Sequence, residues 1–259
     1  MDRKYNTPSV SPQLKALRGS AAISGVGLFG NGETPGYSEV ELLSIAAHRA
    51  VADAGLTMQD IDGLCTASVL STMWPMPVIE YLGINPTFID GTMLGGSSFI
   101  AHLMPAMLAL AAGQCNNVLV CYGSTQRSGT MNRAAVAAAR RQMDPQPYEM
   151  PYDPVFPVAA YALATQRHMA QYGTTREQLA AVAVAARDWA RKNPDAFERG
   201  PLTVADVLKA RLVASPLTVR DCCLVTDGAG AFVLTRADRA KAGPKKPIQP
   251  DRRHPQKHH

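Results

Sequence analysis

The stretch SEVELLSIAAHRAVADAGL (38–56) has the apolar spacing of an amphipathic helix, and strand-like runs bracket it on both sides. Ser38 and Glu41 form a capping-box pair at its start, and Gly55 closes its end. The flanking runs are AAISGVGLFG (21–30), leaving through glycines, and IDGLCTASVL (61–70). PMPVIEYLGI (75–84) then reads as a short helix, Thr87–Gly91 as a third strand, 97–113 as an apolar helix and NNVLVCYGS (116–124) as a fourth strand. Strands alternating with helices specify βαβ units, hence an α/β fold with a mostly parallel sheet and helices on both faces. Pro105 falls inside the 97–113 helix, where it removes a hydrogen bond and should kink it.

Beyond Gln126 the pattern changes. Arg-rich helical sequence and the loop DPQPYEMPYDPVFP lead into two helices, VAAYALATQRHMAQYG and TTREQLAAVAVAARDWARKNP, the second with Thr174 and Glu177 as its expected capping box. A short helix starts at Thr203–Asp206, and 216–236 reads as a returning strand, a Gly-rich turn at Asp227-Gly228-Ala229 and a last strand. The expected organisation is an N-terminal extension (1–19), a core from 20–125 and 200–240, a helical insertion (126–199) and a disordered basic tail (241–259).

Charge narrows the function. The net charge is +5, but 243–259 holds five basic residues against Asp251, which accounts for +4 of it. The body is near neutral, so no nucleic-acid face is indicated. No apolar run reaches the ~18–20 residues of a membrane helix, and the polar N-terminus MDRKYNTPSVSPQ carries no secretory signal. Five cysteines (65, 115, 121, 222 and 223), with no C-x-x-C pair, read as reduced, mostly buried thiols of a cytoplasmic protein rather than a disulfide or zinc framework. The histidines of the tail, His254, His258 and His259, make no metal constellation.

Two motifs invite stronger readings. GVGLFG (25–30) matches G-x-G-x-x-G, but NGETPGY delays the helix to Ser38 and no acid follows the second strand, so the dinucleotide reading fails its context. The turn GTMLGGSSFIAH (91–102) lies where an α/β protein places a nucleophile or an anion-binding backbone. It has Phe99 where G-x-S-x-G needs glycine, and the histidines of the body, His48, His102 and His168, all fall on expected helices. Ser97 and Ser98 read as helix caps, with Gly95 and Gly96 allowing close approach of a ligand or a neighbour.

In this order, SEVELLSIAAHRAVADAGLTMQDIDGL, GGSSFIAH, YALATQRHMAQYGTTREQLAAVAVAARDWARKNPDAF and PLTVRDCCLVTDGAGAFVLT resemble the sterol-carrier-protein-type thiolase-like (lipid-transfer) branch of the thiolase superfamily, over about residues 20–240. The resemblance implies the N-terminal half of a thiolase fold, a layered α/β/α arrangement with a mixed, mostly parallel sheet and a helical insertion. Thiolases put their acyl-accepting cysteine at the start of the helix after the third strand; the matching position is Gly95, or its neighbour Gly96, so no catalytic nucleophile is expected. The Gly-rich turn resembles the group that cleaves β-hydroxyacyl-CoA side chains of steroids by retro-aldol chemistry, with acyl transfer as the other family activity. That group works with a small partner built from a zinc ribbon and an OB-fold, and the family generally forms homodimers.

The implied substrate is an acyl-CoA, with no cofactor and no metal. Implied substrate-binding residues are Gly95, Gly96, Ser97 and Ser98, through backbone N–H groups, and Cys223, at a pocket-lining serine position; helix capping and a small buried thiol are the structural alternatives. Where the family's second half would begin, the sequence turns to GPKKPIQPDRRHPQKHH, which reads as a truncation or a frameshift that removes half of the site. A non-catalytic acyl-CoA or lipid-binding subunit of a hetero-complex is therefore the alternative function, and the orphaned sheet is expected to expose an apolar edge and face.

Overall fold

The computed structural model describes residues 17–68, 71, 73–129, 152 and 157–240. The expected Arg-rich helix and Pro-rich loop of 130–151, the extension before 17 and the tail from 241 lie outside them. The chain divides into two compact units, 1–128 with 227–259, and 129–226.

The first unit is a sheet with a helix layer on each face. Its strands are β1 (Ala21–Gly32), β2 (Gly63–Thr66), β3 (Phe88–Asp90), β4 (Asn117–Ser124) and, returning after the second unit, β7 (Asp227–Arg236), in the order β1-β7-β4-β2-β3. β2 pairs in parallel with β3 and β4, while β7 runs antiparallel to both β1 and β4. Four strands thus share one direction and β7 opposes them. The sequence Asp227-Gly228-Ala229, expected as a turn, instead opens β7 in register with Gly32, Asn31 and Phe29 of β1. The second strand stops at Thr66, short of its expected end.

The pleat sends successive side chains to opposite layers. In β4, Leu119 and Cys121 join α1 (Glu39–Asp53) and α2 (Pro75–Leu82) in one cluster, while Val118 and Val120 join α4 (Leu103–Ala111) in the other. The Ser38–Glu41 capping box forms, with the Glu41 amide donating to Ser38 Oγ at 3.3 Å and the Ser38 amide to Glu41 Oε2 at 2.7 Å. The glycines of GVGLFG serve this packing. A Cβ on Gly25 would run into the Ala50 carbonyl, and one on Gly27 into that of Ala46, so both let the backbone of α1 lie directly on β1.

The edge and face expected to be exposed are partly closed. The Val26 amide donates to Asp53 Oδ2 at 3.1 Å and Arg49 Nη1 donates to the Leu28 carbonyl at 2.7 Å, so two α1 side chains satisfy the rim of β1. On the opposite face Val26, Leu28, Ile100, Met104 and Leu108 stay exposed. The helix expected over 97–113 is two segments, α3 (Ser98–Ala101) and α4, broken at His102; Pro105 has no N–H to give the Ala101 carbonyl.

The second unit carries α5 (Val158–Tyr172), α6 (Arg176–Lys192), α7 (Val204–Lys209) and a small hairpin, β5 (Leu212–Ala214) with β6 (Leu217–Thr218). α7 starts at Thr203–Asp206 as expected, and the two residues form a capping box. That of α6 lies one residue on, at Thr175 and Gln178, because Thr174 stays outside the turn whose amides need capping.

Candidate functional site

The Gly-rich turn is built from its two ends inward. At the C-terminal end of β3, Asp90 Oδ1 accepts the Thr92 amide at 2.7 Å. From the α3–α4 junction, His102 Nε2 lies 2.9 Å from the Thr92 carbonyl, which can only accept, so Nε2 carries the proton. Ser98, at the first turn of α3, accepts the Leu94 amide at 2.8 Å and donates to the Gly95 carbonyl at 2.7 Å. His102 and Ser98 are both fully buried, whereas residues 91–97 are exposed. The turn is thus pinned from beneath and open above.

Ser97 stands at the N-cap without a side-chain cap bond, and Ser98 turns its hydroxyl back into the turn, so neither caps the helix as expected. Ser98 Oγ is committed to two backbone groups and is no nucleophile. Besides the exposed side chains of Met93, Leu94 and Ser97, the turn can present backbone outward. Gly95 has φ +76°, a left-handed conformation that favours glycine, and nothing lies within 4 Å of the place a Cβ would occupy there or on Gly96. No thiol substitutes. Cys65, Cys115 and Cys121 are buried, and burial pushes Cys115 up to about 11 and Cys121 up to about 12. Burial, reinforced by Asp90 across the β2–β3 pair, raises Cys65 too. These are inert thiols.

Cys223 is in the second unit and is exposed, not the buried small thiol that composition suggested; it follows an anchored turn instead of entering a strand. The anchor is Asp221, whose carboxylate accepts the Thr218 amide and hydroxyl, each at 2.7 Å, and an Arg176 guanidinium at 2.8 Å. Burial opposes ionisation there, and these bonds overcome it, leaving the carboxyl below its ordinary range.

The same unit contains a feature that no motif in the sequence announces. A cavity of about 500 Å³ is lined by Arg187, Lys209, Arg211 and Arg220, with Asp206 as its acid. Asp206 is already held by the Thr203 hydroxyl at 2.6 Å, and Arg187 pairs with Glu198 at 3.5 Å. Among the described residues, Lys209, Arg211 and Arg220 make no close ion pair. Asp206 is the counter-ion near Lys209 and Arg220, so four cations around one lining acid leave the cavity with an excess of positive charge that suits an anionic, phosphate-like group. The four basic residues are scattered over 187–220, and no spacing in the sequence signals their convergence.

Among the described residues, no three His, Cys, Asp or Glu side chains gather as a metal site, and no helix is long and apolar enough to cross a membrane.

No family model matches the chain. It is 34% identical to the 17-hydroxy-3-oxo-4-pregnene-20-carboxyl-CoA lyase of Mycobacterium tuberculosis, over 90% of this chain and 61% of that protein. The solved structure of an Ltp2-ChsH2(DUF35) aldolase superposes with TM-score 0.79 at 32% identity, covering 90% of this chain and 60% of that one. A monomeric SCP2-thiolase like protein type 1 from Mycobacterium smegmatis superposes with TM-score 0.64 at 20% identity over 86% of this chain and 47% of its own, a likeness of fold. The chain spans about three fifths of the length of the first two.

Proposed function

We propose that this chain, a member of the sterol-carrier-protein-type, thiolase-like branch of the thiolase superfamily without the nucleophilic cysteine, is part of an aldolase acting on β-hydroxyacyl-CoA thioesters. The observation that carries the reading is the emptied nucleophile position: left-handed Gly95 with open space around it, above buried and inert thiols. Acyl transfer through an acyl-enzyme needs a nucleophile at that turn. Retro-aldol cleavage does not. The β-hydroxyl gives up its proton to a base, the Cα–Cβ bond breaks, a ketone or aldehyde forms at Cβ, and the electron pair passes to Cα as a thioester enolate that is then protonated.

Backbone N–H groups across Gly95, Gly96, Ser97 and Ser98 would stabilise the enolate oxygen, a role that requires rigidity more than reactivity. The proton transfers are assigned to groups outside the described residues. As separate proposals for the second unit taken by itself, Cys223 would contact an acyl-CoA, and Arg187, Lys209, Arg211 and Arg220 would hold a phosphate-like anion in their own cavity. The related Ltp2-ChsH2(DUF35) aldolase has two named components, which motivates a partner here as well; a small partner with a zinc ribbon and an OB-fold, homodimerisation and a cytoplasmic setting are proposed from the family resemblance. The inward commitment of Ser98 and His102, which leaves no side-chain acid or base on the turn, favours a second reading: an acyl-CoA-binding subunit without turnover.

The test is incubation of the protein, with and without such a partner, with a steroid β-hydroxyacyl-CoA. Release of a ketone and a shortened acyl-CoA is expected only when the remaining two fifths of the relatives' length is supplied together with the partner. Saturable binding without turnover in every combination would favour the binding subunit. A covalent acyl adduct found by mass spectrometry would overturn both readings.

A further inference from the structure

The His102 ring contains an imbalance. Its Nε2–H is used on the Thr92 carbonyl at 2.9 Å, but Nδ1 is buried and has no hydrogen-bond partner among the described residues. The imidazole packs edge-on with the Phe99 ring, centroids 5.8 Å apart. A buried acceptor without a donor is destabilising, and an aliphatic side chain of similar size would avoid the cost. The benefit that offsets it is the one bond the other nitrogen makes.

That bond completes a two-sided clamp. Asp90 Oδ1 holds the Thr92 amide from the strand side at 2.7 Å and His102 holds the Thr92 carbonyl from the helix side. Ser98 does the same one step further on, at Leu94 and Gly95. His102 is able to reach back across ten residues because it stands at the break between α3 and α4. Two glycines in sequence would otherwise leave the Gly95–Gly96 backbone free to sample many conformations.

We infer that His102 is a positioning residue: a buried imidazole that fixes the Thr92 peptide, and through it the orientation of the Gly95–Ser98 backbone toward an acyl thioester oxygen. The inference rests on the proposed reading for its ligand, but not for its geometry.

Two variants and two readouts test it. His102→Leu removes the donor, while His102→Gln keeps an N–H of comparable reach. Binding of acyl-CoA is measured by calorimetry, and amide exchange of peptides spanning 91–98 is compared with that of β4. The expected result is about tenfold weaker binding and faster exchange at 91–98 for His102→Leu, with β4 unchanged, and recovery of both in His102→Gln. If both variants match the native protein at 91–98 and in affinity, or if exchange in β4 rises together with that of the turn in both, His102 is only a core residue and the inference is overturned. If the native protein binds no acyl-CoA, the proposed function fails, and the exchange comparison still decides the role of His102.

Discussion

The Asp227 carboxylate, at the first residue of β7, accepts the Thr34 amide at 2.9 Å and the Arg127 amide at 2.7 Å, tying together loops that leave β1 and β4. Thr34 Oγ1 and the Ser128 amide add to it, at 3.3 and 3.1 Å. Three segments far apart in sequence thus share one buried anion.

Burial alone would raise the pKa of Asp227, but the bonds from Ser128, Thr34 and Arg127 outweigh it and hold the carboxyl at about 2. A depressed folded pKa means that this stabilisation is present above the unfolded carboxylate range and is lost as pH falls from about 4 to about 2. Asp227→Asn should lower stability by about 2 kcal/mol at neutral pH and flatten the acid limb of the unfolding curve. Denaturant titrations from pH 7 to pH 3 would show it.

Close approach of α1 to β1 predicts intolerance at Gly27. Gly27→Ala forces a Cβ against the Ala46 carbonyl and the Ala50 amide, backbone atoms that cannot turn aside. The expected loss is about 3 kcal/mol, with thermal unfolding shifted accordingly. Val26→Ala, on an exposed position of the same strand, serves as the mild comparison.

Gly95 should behave differently from Gly27. There is space for a side chain, so Gly95→Ala meets only the left-handed backbone penalty of about 1 kcal/mol. Acyl-CoA affinity should fall more than stability does, because the turn must shift to relieve φ. Equal binding by Gly95→Ala would count against this turn as the thioester site.

Thiol chemistry offers a direct check on burial. Iodoacetamide should modify Cys223 first and Cys222 more slowly, since partial burial and the neighbouring Asp221 raise the latter. Cys65, Cys115 and Cys121 should react only after unfolding. Peptide mass spectrometry on native and denatured samples reads the order.

The basic cavity predicts a phosphate-dependent part of the affinity. Lys209→Ala combined with Arg220→Ala should weaken CoA binding by about tenfold or more, equivalent to at least about 1.4 kcal/mol. A pantetheine thioester without the nucleotide should be unaffected. Raising salt should narrow the difference between native and variant protein.

Short-range signals in the sequence proved reliable where the physics is short-range. Ser38 with Glu41 and Thr203 with Asp206 mark helix starts because a cap is a bond between residues three apart. The apolar run VLVC (118–121) announces a strand covered on both faces, and the family blocks place that strand in an α/β sheet. Even here a tie between neighbours misleads, as at Thr174 and Thr175, where only the backbone decides which one caps.

The amino-acid sequence by itself determined most of the elements and the alternation that makes an α/β fold, since each is a matter of residue type and local spacing. Tertiary structure alone decided the rest. It gave the glycines of GVGLFG a packing role under α1, drew Asp227-Gly228-Ala229 into a strand, turned Ser98 and His102 inward to clamp the turn, and gathered Arg187, Lys209, Arg211 and Arg220 around one cavity. Apart from the Ser98 bonds, which stay within four residues, the hydrogen bonds that hold these arrangements reach from 10 residues, His102 with Thr92, to 193, Asp227 with Thr34. The chain brings such groups within bonding distance only once the sheet order is set, and no local pattern in a sequence encodes that distance.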